Sequence, residues 1–321
     1  MDFQVLVTNL TNPTLLFFLL GIIATLIKSD LEIPESTSKF ISLYLLFAIG
    51  FKGGQELAHS QFNTEIVLSL LFGTLLASLI PIYTFFILKN KFSVSDSAAV
   101  AAAYGSVSAV TFVAAISFVE AQNISFGGHM VAVMALMEAP AIIVAVILMM
   151  RYDKEKQGKT DIKKIIHHAL TNGSVLMVLG SLCIGLIADS KQAEGIKPFT
   201  TDIFKGFLAI FLLEMGMVTA RRFSAFKKYG WFATLFAIII PAINGIAVAF
   251  LSKYVTQSEG NRFIFAILAA SASYIAVPAA MRLAAPKANP GLYIPMALGV
   301  TFPFNITLGM PLYMLIIRIT M

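Results

Sequence analysis

Two stretches of small and hydroxyl-bearing residues stand in the middle of long apolar runs. They read AAAYGSVSAVT at 101–111 and AASASYIAVP at 269–278. Glycine permits dihedral angles closed to other residues and proline lacks an amide donor, so both stretches can interrupt a helix. An interrupted helix offers free amides and a positive half-dipole to an anion, and freed carbonyls to a cation such as sodium. Close helix packing through small residues is the alternative interpretation. The predicted anion ligands are Gly105, Ser106, Ser108, Ser271, Ser273 and Tyr274.

Glu138 lies about midway along another apolar run, in Met137-Glu138-Ala139-Pro140. A carboxylate at the centre of a bilayer costs roughly 2.5 to 3.5 kcal/mol or more, so it needs a partner. We therefore predict that Glu138 and Thr111, with freed carbonyls, bind a coupling cation. A structural carboxyl is the alternative for Glu138. Two further ionisable side chains, Glu214 and Lys52, could either belong to a site or have a structural role. Tyr274 could either line the site or pack as an aromatic residue.

The composition places the chain in a membrane. Of its 321 residues, 58% are hydrophobic and 12% charged, whereas roughly 25% are charged in soluble globular proteins. The length allows about ten spans of about 20 residues and no sizeable soluble domain. We expect no enzymatic activity, because no nucleophile in the sequence has a base at reachable spacing. We also expect no cofactor, and no metal ion other than sodium. The net charge of +6 comes from short connections that orient a membrane protein, so no nucleic acid is expected as a partner.

The candidate spans are long uncharged runs that suit helices and not barrel strands. They cover 10–27, 40–57, 66–88, 97–119, 129–150, 170–188, 203–220, 231–252, 262–281 and 292–317. Basic residues concentrate in alternate connections, among them the stretch from Arg151 to His168. Because positive connections stay inside, we predict that this stretch is cytoplasmic and that both termini lie outside the plasma membrane.

The central stretch divides the chain into two halves of about five spans each. They are a first repeat at 1–150, a cytoplasmic linker at 151–171 and a second repeat at 172–321. An odd number of spans per half inserts the second half upside down relative to the first. The halves share Pro81 with Pro241 and the tripeptide MAL at 134–136 with MAL at 296–298. These features predict an all-α integral membrane fold, a five-plus-five inverted repeat with two interrupted helices.

The sequence also resembles the cyanobacterial-type sodium-dependent bicarbonate transporter family over nearly its whole length. The motifs that carry the resemblance are Gly105-Ser106-Val107-Ser108 with Thr111, Ile49-Gly50 with Gly53-Gly54, Met215-Gly216-Met217, and the run from Arg282 through Ala288-Asn289-Pro290 to Tyr293-Ile294. The resemblance implies core and gate domains, a trimer, and bicarbonate and sodium bound between the interrupted helices. It also implies a carboxylate before the proline of the fifth span, where Glu138 stands.

Two departures from the family pattern bear on coupling and regulation. The ninth span of the family carries serines, an aspartate and then Ile-Ser-Gly-Pro-Pro, whereas Tyr274 and Ala276 stand here in place of the acid and the hydroxyl. Loss of an anionic ligand weakens sodium coupling, because a hard cation prefers charged oxygen ligands. The central stretch is shorter than in the best-known members, which argues against docking of a PII-like regulatory protein.

Together, these features predict a secondary transporter that imports a small anion, bicarbonate foremost, together with sodium. It would lie in membrane lipid as a homo-oligomer. The alternatives are a proton-coupled or exchange carrier of a small carboxylate or other anion, an anion channel, and a membrane sensor that binds without transport.

Overall fold

The computed structural model describes residues 13–60, 62–153, 163, 167, 171–226 and 230–321. Within these residues the secondary structure is helical and contains no strand. Most of the predicted linker at 151–171 lies outside the described residues.

The described residues of the first half form six helices. They are α1 (Pro13–Leu26), α2 (Glu35–His59), α3 (Thr64–Leu88), α4 (Val94–Gly105), α5 (Ala109–Ala121) and α6 (His129–Tyr152). Polar caps fix where several of them begin, because the first amides of a helix lack partners within the helix. The Asn63 side chain accepts a hydrogen bond from the Ile66 amide at the start of α3, and Ser93 accepts one from Asp96 at the start of α4.

The described residues of the second half form seven helices. Its helices are α7 (Gly173–Ile187), the short α8 (Ser190–Glu194), α9 (Phe204–Phe226), α10 (Gly230–Leu251), α11 (Glu259–Ala270), α12 (Ala276–Ala284) and α13 (Pro290–Ile319). A π-helical turn, Pro198–Asp202, precedes α9. Two further π-helical segments, Met296–Thr301 and Asn305–Gly309, lie inside α13.

Six helical stretches of the described chain are long and apolar enough to cross a membrane. They are Thr64–Leu88, Val94–Ala121, His129–Tyr152, Pro198–Arg221, Gly230–Tyr254 and Pro290–Ile319. Two shorter apolar helices, Leu16–Leu26 and Gly173–Ile187, accompany them. The chain is therefore a multi-pass, all-helical membrane protein, and the count of ten spans stays a prediction.

The helices pack in two groups. In the first group, α2 packs along α7, α1 packs along α9, and α2 also contacts α9. Glycines allow these close approaches, since a Cβ on Gly54 would lie 2.2 Å from the Leu182 carbonyl oxygen and one on Gly216 would lie 2.0 Å from that of Phe18. In the second group, α3 packs on α4 and α6, and α10 packs on α11 and α13. The groups are called the α1–α2–α7–α9 group and the α3–α6/α10–α13 group below.

Candidate functional site

The predicted interruption of the first stretch is confirmed. Helix α4 ends at Gly105 and α5 begins at Ala109, and residues 106–108 between them are not helical. Gly105 lies directly against the proline of α3, because an added Cβ would stand 2.2 Å from Pro81 Cγ. Ser108 then starts α5 as its N-cap, and its Oγ accepts a hydrogen bond from the Thr111 amide at 3.1 Å.

The second stretch is also interrupted as predicted. Helix α11 ends at Ala270 and α12 begins at Ala276. Ser271 Oγ donates a hydrogen bond to the Leu268 carbonyl at 2.9 Å, which helps to close the end of α11. Ser273 Oγ accepts one from the Val277 amide at 3.4 Å, at the start of α12.

The two interruptions touch each other. The Ser108 amide donates to Ser271 Oγ at 3.0 Å, and the Ser273 amide donates to the Ala103 carbonyl at 2.8 Å. These bonds join residues more than 160 positions apart in the sequence. The broken segments of the two halves therefore form one structural unit.

A small hollow lies where the two interruptions meet. Its wall consists of Val107, Ser108, Ala109, Glu138, Ser174, Ser273, Tyr274, Ile275 and Ala276. Seven of these nine residues flank or form the starts of α5 and α12, so two helix N-termini contribute to one wall. Helix N-termini carry a positive partial charge and amides without helical partners, which favours an anion.

Glu138 contributes a carboxyl group to the same hollow. Its side chain is 5% exposed, and its Oε2 has no hydrogen-bond partner in the part of the chain that the structure describes. A carboxylate buried in this way attracts a cation or a proton, because an uncompensated charge is costly at such depth. The hollow thus combines features that suit an anion with one that suits a cation.

The predicted residues take different places around the hollow. Ser108, Ser273, Tyr274 and Glu138 line it. Gly105 and Ser271 shape the interruptions behind it, and Thr111 is buried in the first turn of α5. The remaining predicted ligand is Ser106, whose buried hydroxyl has no hydrogen-bond partner within the described ranges.

Ser174 is a lining residue that the sequence interpretation missed. It lies in the first turn of α7, where the Asn172 side chain accepts a hydrogen bond from its amide at 2.9 Å. An asparagine before an apolar run is a helix-start signal, but nothing local indicates which cavity that start faces. Since α7 belongs to the α1–α2–α7–α9 group, the hollow lies between the two groups of helices.

Two carbonyls at the end of α11, which the second interruption frees, already accept hydrogen bonds. The side-chain amide of Asn244 donates a hydrogen bond to the Ala269 carbonyl at 3.2 Å, and the side-chain amide of Asn305 donates one to the Ala270 carbonyl at 2.7 Å. The two asparagines therefore act as caps for the end of α11. With these carbonyls engaged, the Glu138 carboxyl is the strongest candidate cation ligand at the hollow.

The two open ionisable residues do not line the hollow. Lys52 forms an ion pair with Glu120, with 2.5 Å between Nζ and Oε1, on the wall of a second and larger cavity. Glu214 lies in α9 next to Met215, whose sulfur accepts a hydrogen bond from the Tyr274 hydroxyl at 3.6 Å. Tyr274 therefore both lines the hollow and contacts the α1–α2–α7–α9 group.

Comparison with known proteins identifies the family of the chain. The family model of the Na⁺-dependent bicarbonate transporter superfamily matches residues 13–318, which takes in all of α1 to α12 and nearly all of α13. The chain belongs to this superfamily. The family resemblance predicted from the sequence is thereby confirmed, and membership of the Na⁺-dependent bicarbonate transporter superfamily makes the protein a membrane transporter. No curated protein matches the chain.

Proposed function

We propose that this protein is a secondary active transporter that imports a small anion, bicarbonate foremost, together with sodium. The observation that carries the proposal is the hollow at which the N-termini of α5 and α12 meet beside Glu138. Amides and hydroxyls at the two helix starts would hold the anion, and Ser108 and Ser273 are its nearest predicted ligands. Superfamily membership supports the same substrate and the same coupling ion.

The internal packing supports an inverted repeat of two five-helix halves, 1–150 and 172–321. In the proposed pairing, α1 corresponds to α7 and α2 to α9, so the contact of α2 with α7 corresponds to that of α9 with α1. The contacts of α3 with α4 and α6 likewise correspond to those of α10 with α11 and α13. Counting each interrupted helix once and leaving out the short α8, this scheme has ten spans. The α1–α2–α7–α9 group would be the gate and the α3–α6/α10–α13 group the core.

Charge explains why an anion would need a cation at this hollow. An ionised Glu138 and a bound anion repel each other, by about 4 kcal/mol at a separation of about 4 Å and an effective dielectric constant of about 20. That repulsion lowers affinity by nearly a thousandfold, at about 1.4 kcal/mol per factor of ten. A sodium ion beside Glu138 would remove it. Each solute would then favour binding of the other, which is what coupling requires.

The position of the hollow between the two groups suits alternating access. Glu138 and the interrupted segments belong to the proposed core, whereas Ser174 belongs to the proposed gate. Movement of the core relative to the gate would carry the hollow from one side of the membrane to the other. During this movement Ser174 would leave the wall of the hollow, and the contact between Tyr274 and Met215 would break. A channel would need no such paired groups.

Uptake into proteoliposomes tests the proposal. Labelled bicarbonate should enter faster with an inward sodium gradient than without one, and the uptake should saturate. Glu138→Gln should abolish the effect of the gradient. Equal uptake in both conditions would refute sodium coupling. Ohmic conductance far above carrier turnover would indicate a channel, and binding without flux would indicate a sensor.

A proton-coupled or exchange carrier is the second candidate, and one observation favours it. The Ala269 and Ala270 carbonyls already accept hydrogen bonds, and Glu138 Oε2 has no partner among the residues described. A proton needs only that carboxyl, whereas sodium needs several oxygen ligands. This candidate predicts uptake that follows a pH gradient and ignores sodium, and that loses its dependence on pH in Glu138→Gln.

Location and assembly follow from the same proposal. We place the protein in the plasma membrane with both termini outside, as a homo-oligomer, a trimer by family resemblance. Labelling of Lys28 and Lys91 from one side of the membrane and of Lys191 from the other tests the orientation, since these residues lie in connections that the predicted topology places on opposite faces. Mass measurement of the detergent-solubilised protein tests the trimer.

A further inference from the structure

A second cavity, with a volume of about 260 Å³, opens between the two groups of helices. Its walls come from the C-terminal halves of α2 and α5, the connection before α6, the π-helical turn before α9 and the first turn of α9. It is much larger than the hollow at the interruptions, whose volume is about 10 Å³. The cavity therefore has room for a hydrated solute.

Helix α5 contributes to the walls of both the cavity and the hollow. Its deepest residues include Ile49 of α2 and Ile116 of α5, which are 5% and 3% exposed. Ile116 lies seven residues after Ala109, which is about 10 Å along the helix axis at about 1.5 Å per residue. A solute held in the cavity would thus be about two helical turns away from the wall of the hollow.

An exchangeable ion pair crosses this cavity. Lys52 of α2 is paired with Glu120 of α5, so the bond joins the two groups of helices. The two side chains are 39% and 26% exposed, and an ion pair that reaches solvent in this way is held weakly. The Lys52 ammonium can therefore change its partner without leaving a buried charge uncompensated.

The other polar groups of the wall agree with a small oxyanion as the guest. Thr200 and Thr201 supply hydroxyl groups, and Lys205 supplies a second ammonium group. Glu56 supplies a further carboxyl beside the ion pair. Since the two lysines and the two glutamates balance in formal charge, the cavity attracts no anion by net charge. Capture must then depend on a particular ammonium group that exchanges its carboxylate for the guest.

We propose that this cavity is a capture site for the transported anion, in which Lys52 exchanges Glu120 for a small oxyanion before that anion reaches the hollow. The proposal rests on the proposed transport function and adds a binding step to it. Glu120 holds the ammonium group in place while the site is empty and competes with the anion for it. The two members of the ion pair therefore have opposite effects on capture.

Uptake kinetics of labelled bicarbonate separate this role from that of a structural bond between helices. Lys52→Gln should raise KM about tenfold or more with little change in kcat, since one hydrogen bond to a charged group is lost. Glu120→Gln should leave KM unchanged or lower it, because it removes the competitor. Lys52→Arg should keep most of the affinity. Lys191→Gln is the matched control, an exposed lysine of α8 that does not line the cavity, and it should behave like wild type.

A structural ion pair predicts a different pattern, in which Lys52→Gln and Glu120→Gln impair transport alike. That pattern, or no change in KM in Lys52→Gln, would overturn the capture site while wild-type uptake still supports the transport function. If wild-type protein takes up no bicarbonate, the transport function fails. The capture site is then tested separately by the bicarbonate concentration that is needed to stabilise the protein against heat. Lys52→Gln should raise that concentration about tenfold, and an unchanged concentration would refute the proposal.

Discussion

The contact between Gly105 and Pro81 gives the sharpest prediction about how the interruption is built. A Cβ added to Gly105 would stand 2.2 Å from Pro81 Cγ and 2.5 Å from Cδ. An ordinary carbon contact is about 3.5 Å or more, so the shorter distance falls about 1.3 Å short of it. The proline ring is rigid and cannot rotate away as a flexible side chain would. Gly105→Ala must therefore push α3 away from the end of α4.

Overpacking of this kind costs about 1 to 3 kcal/mol, and we expect Gly105→Ala to lower the free energy of unfolding by about that amount. It should also slow bicarbonate uptake, since α4 ends at the interruption. Pro81→Ala removes the ring atoms that the new Cβ would meet, so the double variant should recover most of the loss. Thermal unfolding in detergent, with uptake measured on the same preparations, checks all three variants.

Gly206→Ala is the matched control for the addition of a methyl group. Gly206 also lies in a helix, α9, but a Cβ there would meet nothing within 4 Å. Because alanine is favoured over glycine inside a helix, this variant should be equal to wild type or up to about 1 kcal/mol more stable. If Gly105→Ala is as stable as wild type, or if adding Pro81→Ala does not restore its stability, the contact between Gly105 and Pro81 does not constrain the interruption.

Three further substitutions test separate parts of the structure. Asn305→Leu leaves the buried Ala270 carbonyl without its amide donor and should cost about 1 to 3 kcal/mol of stability by thermal unfolding; an unchanged midpoint would contradict the capping role. Arg262→Met removes a fully buried guanidinium that donates to Thr320 Oγ1 at 2.6 Å and to the end of α10, so it should lower stability by about 2 kcal/mol or more, and wild-type stability would show that these contacts contribute little. Ser174→Ala should raise the KM for bicarbonate about two- to tenfold, because one hydrogen bond to the anion is lost, and should leave stability nearly unchanged. An unchanged KM would show that Ser174 does not bind the anion.

The interruptions were predictable because their causes are local. Glycine at 105, the serines around it and Pro278 are residues that disfavour a continuous helix. The first break follows Gly105, and the second, at residues 271–275, ends just before Pro278 in the first turn of α12. Serine is also a preferred helix start, so Ser108 as the N-cap of α5 follows from its type. The midpoint carboxylate of Glu138 was recognisable for a similar reason, since an acid in an apolar run needs a partner.

The contacts between distant segments were not predictable from the sequence. Ser174 faces the hollow only because α7 packs on α2, and no property of its neighbours in the sequence indicates that packing. Lys52 and Glu120 are 68 positions apart, and the sequence left open whether Lys52 belongs to a site or has a structural role. The engaged carbonyls of Ala269 and Ala270 depend on asparagines from two other helices. The span count, the inverted repeat, the orientation and the trimer stay predictions.

The most direct test of the central claim is a cryo-EM map of the detergent-solubilised protein in saturating sodium bicarbonate, compared with a map in a medium free of both ions. In the map with sodium bicarbonate we expect added density at the hollow, within hydrogen-bonding distance of the starts of α5 and α12, and a second feature beside Glu138. An identical, unfilled hollow in both maps, with anion density only elsewhere in the protein, would contradict the claim.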